Sequence, residues 1–578
     1  MSPAGAGPAA LDRPTALRYR RPMSDGNAQG AARGAGRPTV ALDRWSVAAA
    51  CIAAAILLPI LAVFWLAAFP TENVWPHLAA TVLPRYLATT LLLMAGVGAL
   101  AGVVGTGTAW LVAMHDFPGR RVLASALLMP LAIPAYVGAY ALVDFLDYSG
   151  PVQTAMRAAF GWRNAADYAF PAIRSLPFAV VVIGLSVYPY VYLLARAAFS
   201  EQSGAGYEVA RALGAGPWRR FAAVGLPLAR PAIAAGVAVT MMEAVNDYGT
   251  VAYFGVQTLT TGIFSTWLSG GNAGGAAQIA CVILVLIAAL VAVERASRRR
   301  RRFWQAPRSQ RPVTRTPLRG WRGAAAAGAC AAPVLAGFVL PAAVMGWHAV
   351  WGAGGWLAPG LFAALLNTVA VAGLAAVATV GLALVMTYGV RMTGRTLPRL
   401  LLPVTTVGYA APGAVLGLGV LIPMAALDNR MADGLLAATG WDLGLILTGS
   451  AAALVFAYVV RFFAIGQGAA DAALGRIPPA LPLAARSLGR GPGATLRAVH
   501  LPLMRGSVAM ALLLVFVDAV KELPATLLLR PFGFDTLATR LHDQASLERL
   551  SQAAPAALMI SAVGLAAVLL LARADAGR

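Results

Sequence analysis

The chain has 578 residues, of which 59% are hydrophobic and only 12% charged, so it carries too little polar surface to cover a soluble globule of this length. A formal net charge of +22 would suggest a nucleic-acid partner in a soluble protein, but the arginines gather at the ends of apolar runs, where they set topology in a bilayer. Period-two alternation is absent, which leaves helices as the means of crossing. The fold class is therefore all-α, a polytopic membrane protein.

Residues 1–44 are rich in Ala, Gly, Pro and Arg and lack an apolar core, so they read as a disordered basic cytoplasmic tail and not as a signal peptide. A crossing needs about 20 apolar residues. Such runs predict twelve spans, at 46–69, 86–114, 121–146, 177–199, 229–252, 277–296, 324–349, 362–388, 397–426, 443–464, 504–526 and 553–573. With the first span starting inside, the cytoplasmic loops receive Arg120 and Arg121, then Arg211, Arg219 and Arg220, then Arg391, Arg395 and Arg399, then Arg486, Arg490 and Arg497. The opposite side has no Lys or Arg between Tyr253 and Gln278 or between Trp351 and Leu361. It carries Asp428, Arg430, Asp433 and Asp442 between spans nine and ten, and a mixed stretch from Arg530 to Arg549. The run Arg298 to Arg302, followed by Pro307, Pro312 and Pro317, predicts an Arg/Pro-rich cytoplasmic linker over 298–322, held near anionic headgroups. It divides the chain into two halves of similar size, 45–297 and 323–578.

The halves repeat each other. Glu208-Val-Ala-Arg-Ala-Leu-Gly214-Ala-Gly-Pro217, running on to Leu226-Pro227, recurs 275 positions later as Leu483-Ala-Ala-Arg-Ser-Leu-Gly489-Arg-Gly-Pro492, running on to Leu501-Pro502. Pro134 and Thr90 recur as Pro412 and Thr368 at an offset of 278. Two tandem six-helix halves in parallel orientation imply an axis along the membrane normal and a pathway between them. In each loop, small helix formers are followed by a glycine suited to a left-handed stop (Gly214, Gly489) and by a proline suited to a first helical turn (Pro217, Pro492). The result is a helix, a sharp bend and a second helix.

The fifth span of each half ends in a second matched block, Glu243-Ala-Val-Asn246-Asp247 and Asp518-Ala-Val-Lys521-Glu522. Acidic residues four apart are expected on one helical face. Ionised groups inside a bilayer cost several kcal/mol, roughly, unless they face water or a partner, so they line a path or form a network neutralised by Lys521. Weak electrostatic guidance suits transit better than chelation, and no tightly bound metal is expected. Lys521 is the chain's only lysine, so a Gly-Lys-Ser/Thr phosphate loop is impossible here and energy must come from another polypeptide or an ion gradient. His77, His115, His348, His500 and His542 are scattered without metal-ligand spacing, which argues against a membrane enzyme, and no catalytic residue is assigned. Cys51, Cys281 and Cys330 are widely spaced and read as packing residues, as do Gly96, Gly98, Gly102 and the tyrosines of Tyr188-Pro-Tyr190-Val-Tyr192.

The repeated loop resembles the E-A-A, three residues, G loop of ABC importer membrane subunits. The matching positions are Glu208, Ala210 and Gly214 in the first half and Ala484, Ala485 and Gly489 in the second; Val209 and Leu483 depart from the pattern. The resemblance implies an ABC importer permease fold whose loops dock on a dimer of ATP-binding cassette subunits, with ATP and Mg bound by that partner and no cofactor in this chain. Met242-Glu-Ala-Val-Asn-Asp-Tyr-Gly-Thr250, with Tyr253-Phe254 and Thr258-Leu-Thr-Thr-Gly262, is similar to the first half of ferric iron importer permeases. Val517-Asp-Ala-Val-Lys-Glu-Leu-Pro-Ala-Thr526, with Arg530-Pro531 and Phe534-Asp-Thr-Leu-Ala538, resembles the second half, so the likeness runs over about 45–575. It implies a bacterial inner membrane subunit, both termini cytoplasmic, taking ferric iron from a periplasmic ferric-type binding protein, with no nucleic-acid partner. Permeases for thiamine, phosphonates, polyamines, molybdate or sulfate share the loop. An ion-coupled secondary transporter is the alternative from another class. Asp147, Tyr148, Arg157, Trp162, Arg163 and Asp167 are candidates for the outer docking surface, as is the longer outer stretch 527–552.

Overall fold

A computed structural model describes residues 44–299 and 314–576, apart from 353–354, 394–395, 407, 409–410, 442–443 and 479. The basic tail up to residue 43, the linker core 300–313, the Arg395 backbone and Asp442 lie outside the described residues. Among the described residues, eleven helices are long and apolar enough to cross a bilayer, and the pair Arg120–Ala132 and Ala135–Phe160, bent by 92°, makes a twelfth when counted as one broken span. These fall on the twelve predicted spans in order.

Two kinds of span are broken where the sequence predicts continuity, and the breaks match between the halves. The third span turns at Pro134 (φ −57°, ψ 144°), and its counterpart Pro412 (φ −55°, ψ 151°) starts Gly413–Thr439 after the separate helix Thr396–Val404. Proline cannot donate to the preceding turn and pushes the residue before it out of helical geometry, so each proline begins a new helix. The fifth span of each half, Pro217–Asn246 and Pro492–Val520, stops six residues before the predicted end at 252 or 526, and short helices Gly249–Tyr253 and Pro524–Leu529 follow. The ninth span runs further than expected, to Thr439. Asp428 is therefore a buried helical residue and not part of a loop, its carboxylate accepting from the amides of Ile446, Leu447 and Thr448.

Single π-helical turns occur at Phe221–Gly225, Leu335–Val339 and Leu496–His500, each immediately before a Leu-Pro pair. The missing proline N–H removes one α-type bond, and the local ladder widens to absorb it.

Packing follows the repeat. The second span meets the fourth at Gly105, where an added Cβ would strike Val191; the eighth meets the tenth at the equivalent point with the small residue on the other side, Gly466 against Ala383. Without hydrophobic drive inside a bilayer, such close approach supplies the association energy. Gly96 lies against Val180, and Gly98 and Gly102 against Met241 and Val237, so these three glycines also mark helix contacts. Thr90 accepts from the Leu259 amide (3.0 Å), and Thr368 accepts from the Leu537 amide (2.8 Å). The helices beginning there carry matched capping boxes, Thr258 with Thr261 and Thr536 with Thr539.

The first span of each half crosses over to the other. Ala49, Ile52 and Ile56 join Ala383, Ala414 and Val415 in one core, with Gly419 close to the Pro59 carbonyl. On the other side, Gly337 of the seventh span lies against Pro130 and the Leu185 carbonyl. The described end of the linker is anchored, because Thr316–Pro317 pairs in parallel with His115–Asp116 and the Leu318 amide donates to the Asp116 carbonyl at 2.8 Å.

Candidate functional site

The broken third, fourth and fifth spans of the first half meet the tenth span and the eleventh span's end at a seam, and there they enclose a cavity of about 140 Å³. All six predicted path residues line it: Glu243, Asn246, Asp247, Asp518, Lys521 and Glu522. Asp247 is not on the helical face of Glu243, since the helix ends at Asn246. Its carboxylate instead starts the next helix, accepting from the amides of Thr250 (2.9 Å) and Val251 (3.2 Å) and from the Thr250 hydroxyl (2.8 Å). Glu522 does the same at the matched position, accepting from the Ala525 amide at 3.2 Å. These carboxylates thus fix the breaks in the spans as well as charging the cavity.

Lys521 Nζ lies 2.8 Å from Asp518 Oδ1, as the network reading expects. A second neutraliser, which the spacing of the acidic blocks does not indicate, comes from another span. Arg461 of the tenth span, its side chain 11% exposed against 6% for its partner, places Nε 3.1 Å from Glu522 Oε2. A lone arginine inside Val459-Val460-Arg461-Phe462-Phe463 is itself the signal that could have found it, because an intramembrane ion implies a partner. Tyr190, expected only to pack, lines the cavity, whereas Tyr188 and Tyr192 are fully buried. Tyr136 also lines it and donates across the seam to the Lys521 carbonyl at 3.4 Å. Four carboxylates face two cations, so the cavity has an acidic balance. Among the described residues, no group of three His, Cys, Asp or Glu side chains is arranged to hold a metal ion.

The repeated loops share one backbone. The helices Gly204–Ala212 and Ala480–Ser487 end in glycines with φ +77° (Gly214) and +76° (Gly489). The Gly214 amide donates to the Arg211 carbonyl and the Ala215 amide to that of Ala210; Gly489 and Arg490 repeat this on Arg486 and Ala485. This double bond pattern is the Schellman stop, and the left-handed residue it needs is tolerated at glycine. Pro217 and Pro492 then open the next helices. Glu208, Leu213 and Trp218 are exposed on the first loop, and Leu483 and Leu488 on the second; Ala210 is half-buried, Ala484 is exposed and Ala485 is buried.

On the opposite side, Arg157 lies over the Tyr148 ring at 4.0 Å and donates to the Tyr148 carbonyl, while Trp162 stacks on Tyr168. Asp167 accepts from the Arg163 and Asn164 amides, which hold its carboxyl below the usual range. Arg174 bridges to Glu548 at 3.1 Å, so the two long outer segments meet.

A duplicated helical bundle that encloses a charged seam and shows twin loops on one side is a transport permease. Residues 101–303 match the family described as binding-protein-dependent transport system inner membrane component. The chain is 23% identical over 480 residues to the Fe(3+)-transport system permease protein FbpB 2 of Haemophilus influenzae, covering 82% of this chain and 87% of that relative. It is 29% identical over 186 residues to the molybdenum transport system permease protein ModB of Escherichia coli (30% of this chain, 75% of the relative). To the sulfate transport system permease protein CysT of the same species it is 29% identical over 158 residues (26% and 52%). The chain is a polytopic membrane permease of the binding-protein-dependent ABC transporter class, with two permease halves in one polypeptide.

Proposed function

We propose that this chain moves ferric iron from a periplasmic binding protein into the cytoplasm, driven by a dimer of ATP-binding cassette subunits that bind ATP and Mg. The observation that carries the cargo assignment is the acidic balance of the seam cavity, which attracts a cation and repels an oxyanion such as molybdate or sulfate. Carboxylate oxygens suit a hard cation, and prior commitment of Asp247, Asp518 and Glu522 to amides and cations keeps them from wrapping it. Ferric iron enters as cargo and leaves again.

The twin loops, through Glu208, Ala210 and Gly214 and through Ala484, Ala485 and Gly489, are the coupling elements. Arg211, Arg219, Arg220, Arg486, Arg490 and Arg497 lie on them, which favours the cytoplasmic side and, with even crossings, cytoplasmic termini in a bacterial inner membrane. The halves 45–297 and 323–578 tilt against each other when the ATPases close, opening the seam to one side at a time.

The test is iron uptake into proteoliposomes holding this chain with its ATPase and binding protein. Glu243→Gln/Asp247→Asn is expected to cut uptake roughly tenfold or more, the scale of lost electrostatic focusing. Unimpaired uptake would remove these residues from the path. Molybdate or sulfate uptake in place of iron overturns the cargo, and uptake without the ATPase overturns the energy source.

A further inference from the structure

Beside the first coupling loop, two cavities share a wall. The larger, about 1100 Å³, is an apolar groove bounded by Gly102 and Gly107 of the second span, Phe221 and Ile233 of the fifth, and Ala329 and Ala332 of the seventh. The smaller, about 50 Å³, has His115, Tyr207, Arg211 and Arg220 on its lining, with Glu208 beside them. Trp110 and Pro217 belong to both. His115 is only 8% exposed, and its Nδ1 and the buried Arg220 Nε have no hydrogen-bond partner among the described residues.

We propose that this corner binds one anionic phospholipid, with its phosphate at Arg220, Arg211 and His115 and an acyl chain in the groove. The medium around a transmembrane groove is hydrocarbon, so an acyl chain is the natural filling, and basic pockets between helices at the cytoplasmic side select anionic headgroups. Cations crowd the end with the smaller cavity. Arg315, between the pocket-lining Thr314 and Thr316, is held below its ordinary pKa by burial and by Arg120 and Arg196, with Asp116 opposing them. His115 is likewise lowered by burial and by the Arg220 charge, and so enters as a neutral hydrogen-bonding partner.

The second half lacks both parts of the site. Trp218-Arg219-Arg220 corresponds to Gly493-Ala494-Thr495 in the repeat. Tyr388, which takes the place of Trp110, is covered by Trp45 of the first span, ring centroids 5.3 Å apart, and an added Cβ on Gly389 would meet Trp45. One lipid is therefore expected per chain, at the loop that bears Glu208.

Native mass spectrometry of the full chain, stripped of lipid in mild detergent and offered phosphatidylglycerol, phosphatidylcholine or inorganic phosphate, tests this. A single phosphatidylglycerol adduct is expected, with phosphatidylcholine held weakly. Arg220→Gln should lower its retention about fivefold, the factor for one guanidinium near a headgroup. Ala332→Phe, at an exposed groove position, should block the adduct with the arginines intact, while Arg497→Gln in the other half should leave it unchanged. Should Arg220→Gln fail to fold, the exposed Arg211→Gln serves instead. Equal retention of both lipids, insensitivity to the Ala332 change, or phosphate binding with no lipid adduct overturns the proposal.

Discussion

The two repeated loops have the same backbone and different faces. Their stop glycines agree to about a degree in φ, +77° and +76°, and the same pairs of amides and carbonyls close both turns. Yet the first presents Glu208 and Trp218, and the second presents Leu483 with Gly493 at the tryptophan's position. The seam is similarly lopsided. Each half contributes acids at its fifth-span break, but Arg461 and Lys521 both come from the second half. Duplication has kept the geometry that makes helices start, stop and cross, while the side chains on the loop surfaces and in the seam have diverged.

The largest expected effect tests the seam. Arg461 corresponds to Ser186 in the loop register, and both line the cavity. Arg461→Gln leaves Glu522 charged and buried without its cation, a change worth about 3–5 kcal/mol in buried pairs, whereas Ser186→Ala removes one hydrogen bond to the Ile133 carbonyl worth about 1 kcal/mol. Thermal unfolding in detergent should separate the two variants widely. Arg461→Gln/Glu522→Gln should recover most of the loss, and absence of recovery would show that the arginine acts through other partners.

The loops give the next effect. Glu208→Leu makes the first loop like the second, and under the proposed docking on an ATPase the loss of one charged hydrogen bond is expected to lower ATP-driven uptake about tenfold. Leu483→Ala, with no carboxylate to lose, should stay within about twofold. Gly214→Asp should likewise impair uptake more than Gly489→Asp, although both substitutions strain the same left-handed turn by about 1–2 kcal/mol. Equal losses would mean that shape, not Glu208, carries the coupling.

Much of this was legible in the sequence because membrane crossing imposes long apolar runs and duplication leaves fixed offsets. The offsets even located Pro134 and Pro412, Thr90 and Thr368, and both acidic blocks. The sequence pattern did not show that the acids sit at breaks, since Val245-Asn246-Asp247 reads as helical until Asp247 is seen accepting amides from the helix ahead. Arg461 lies in the tenth span, far in sequence from the eleventh, and its pairing with Glu522 is a tertiary fact. The lipid corner was equally hidden. Its small residues are divided between two spans and make a groove only where the seventh span stands beside the second.

The smallest expected effect asks whether the symmetric part is energetically symmetric. Thr90 and Thr368 each donate to a carbonyl one turn back and accept the first amide of a later helix, Leu259 or Leu537. Replacing either with valine keeps the shape and removes that acceptor, leaving a buried amide unpaired at a cost of about 1 kcal/mol. Hydrogen exchange should then speed up at Leu259 in Thr90→Val and at Leu537 in Thr368→Val, each about fivefold and by the same factor. Both amides begin helices packed beside the seam, so a larger change in one half would identify the side whose capped helix opens first, tying the pathway's motion to one repeat although the hydrogen bonds are matched.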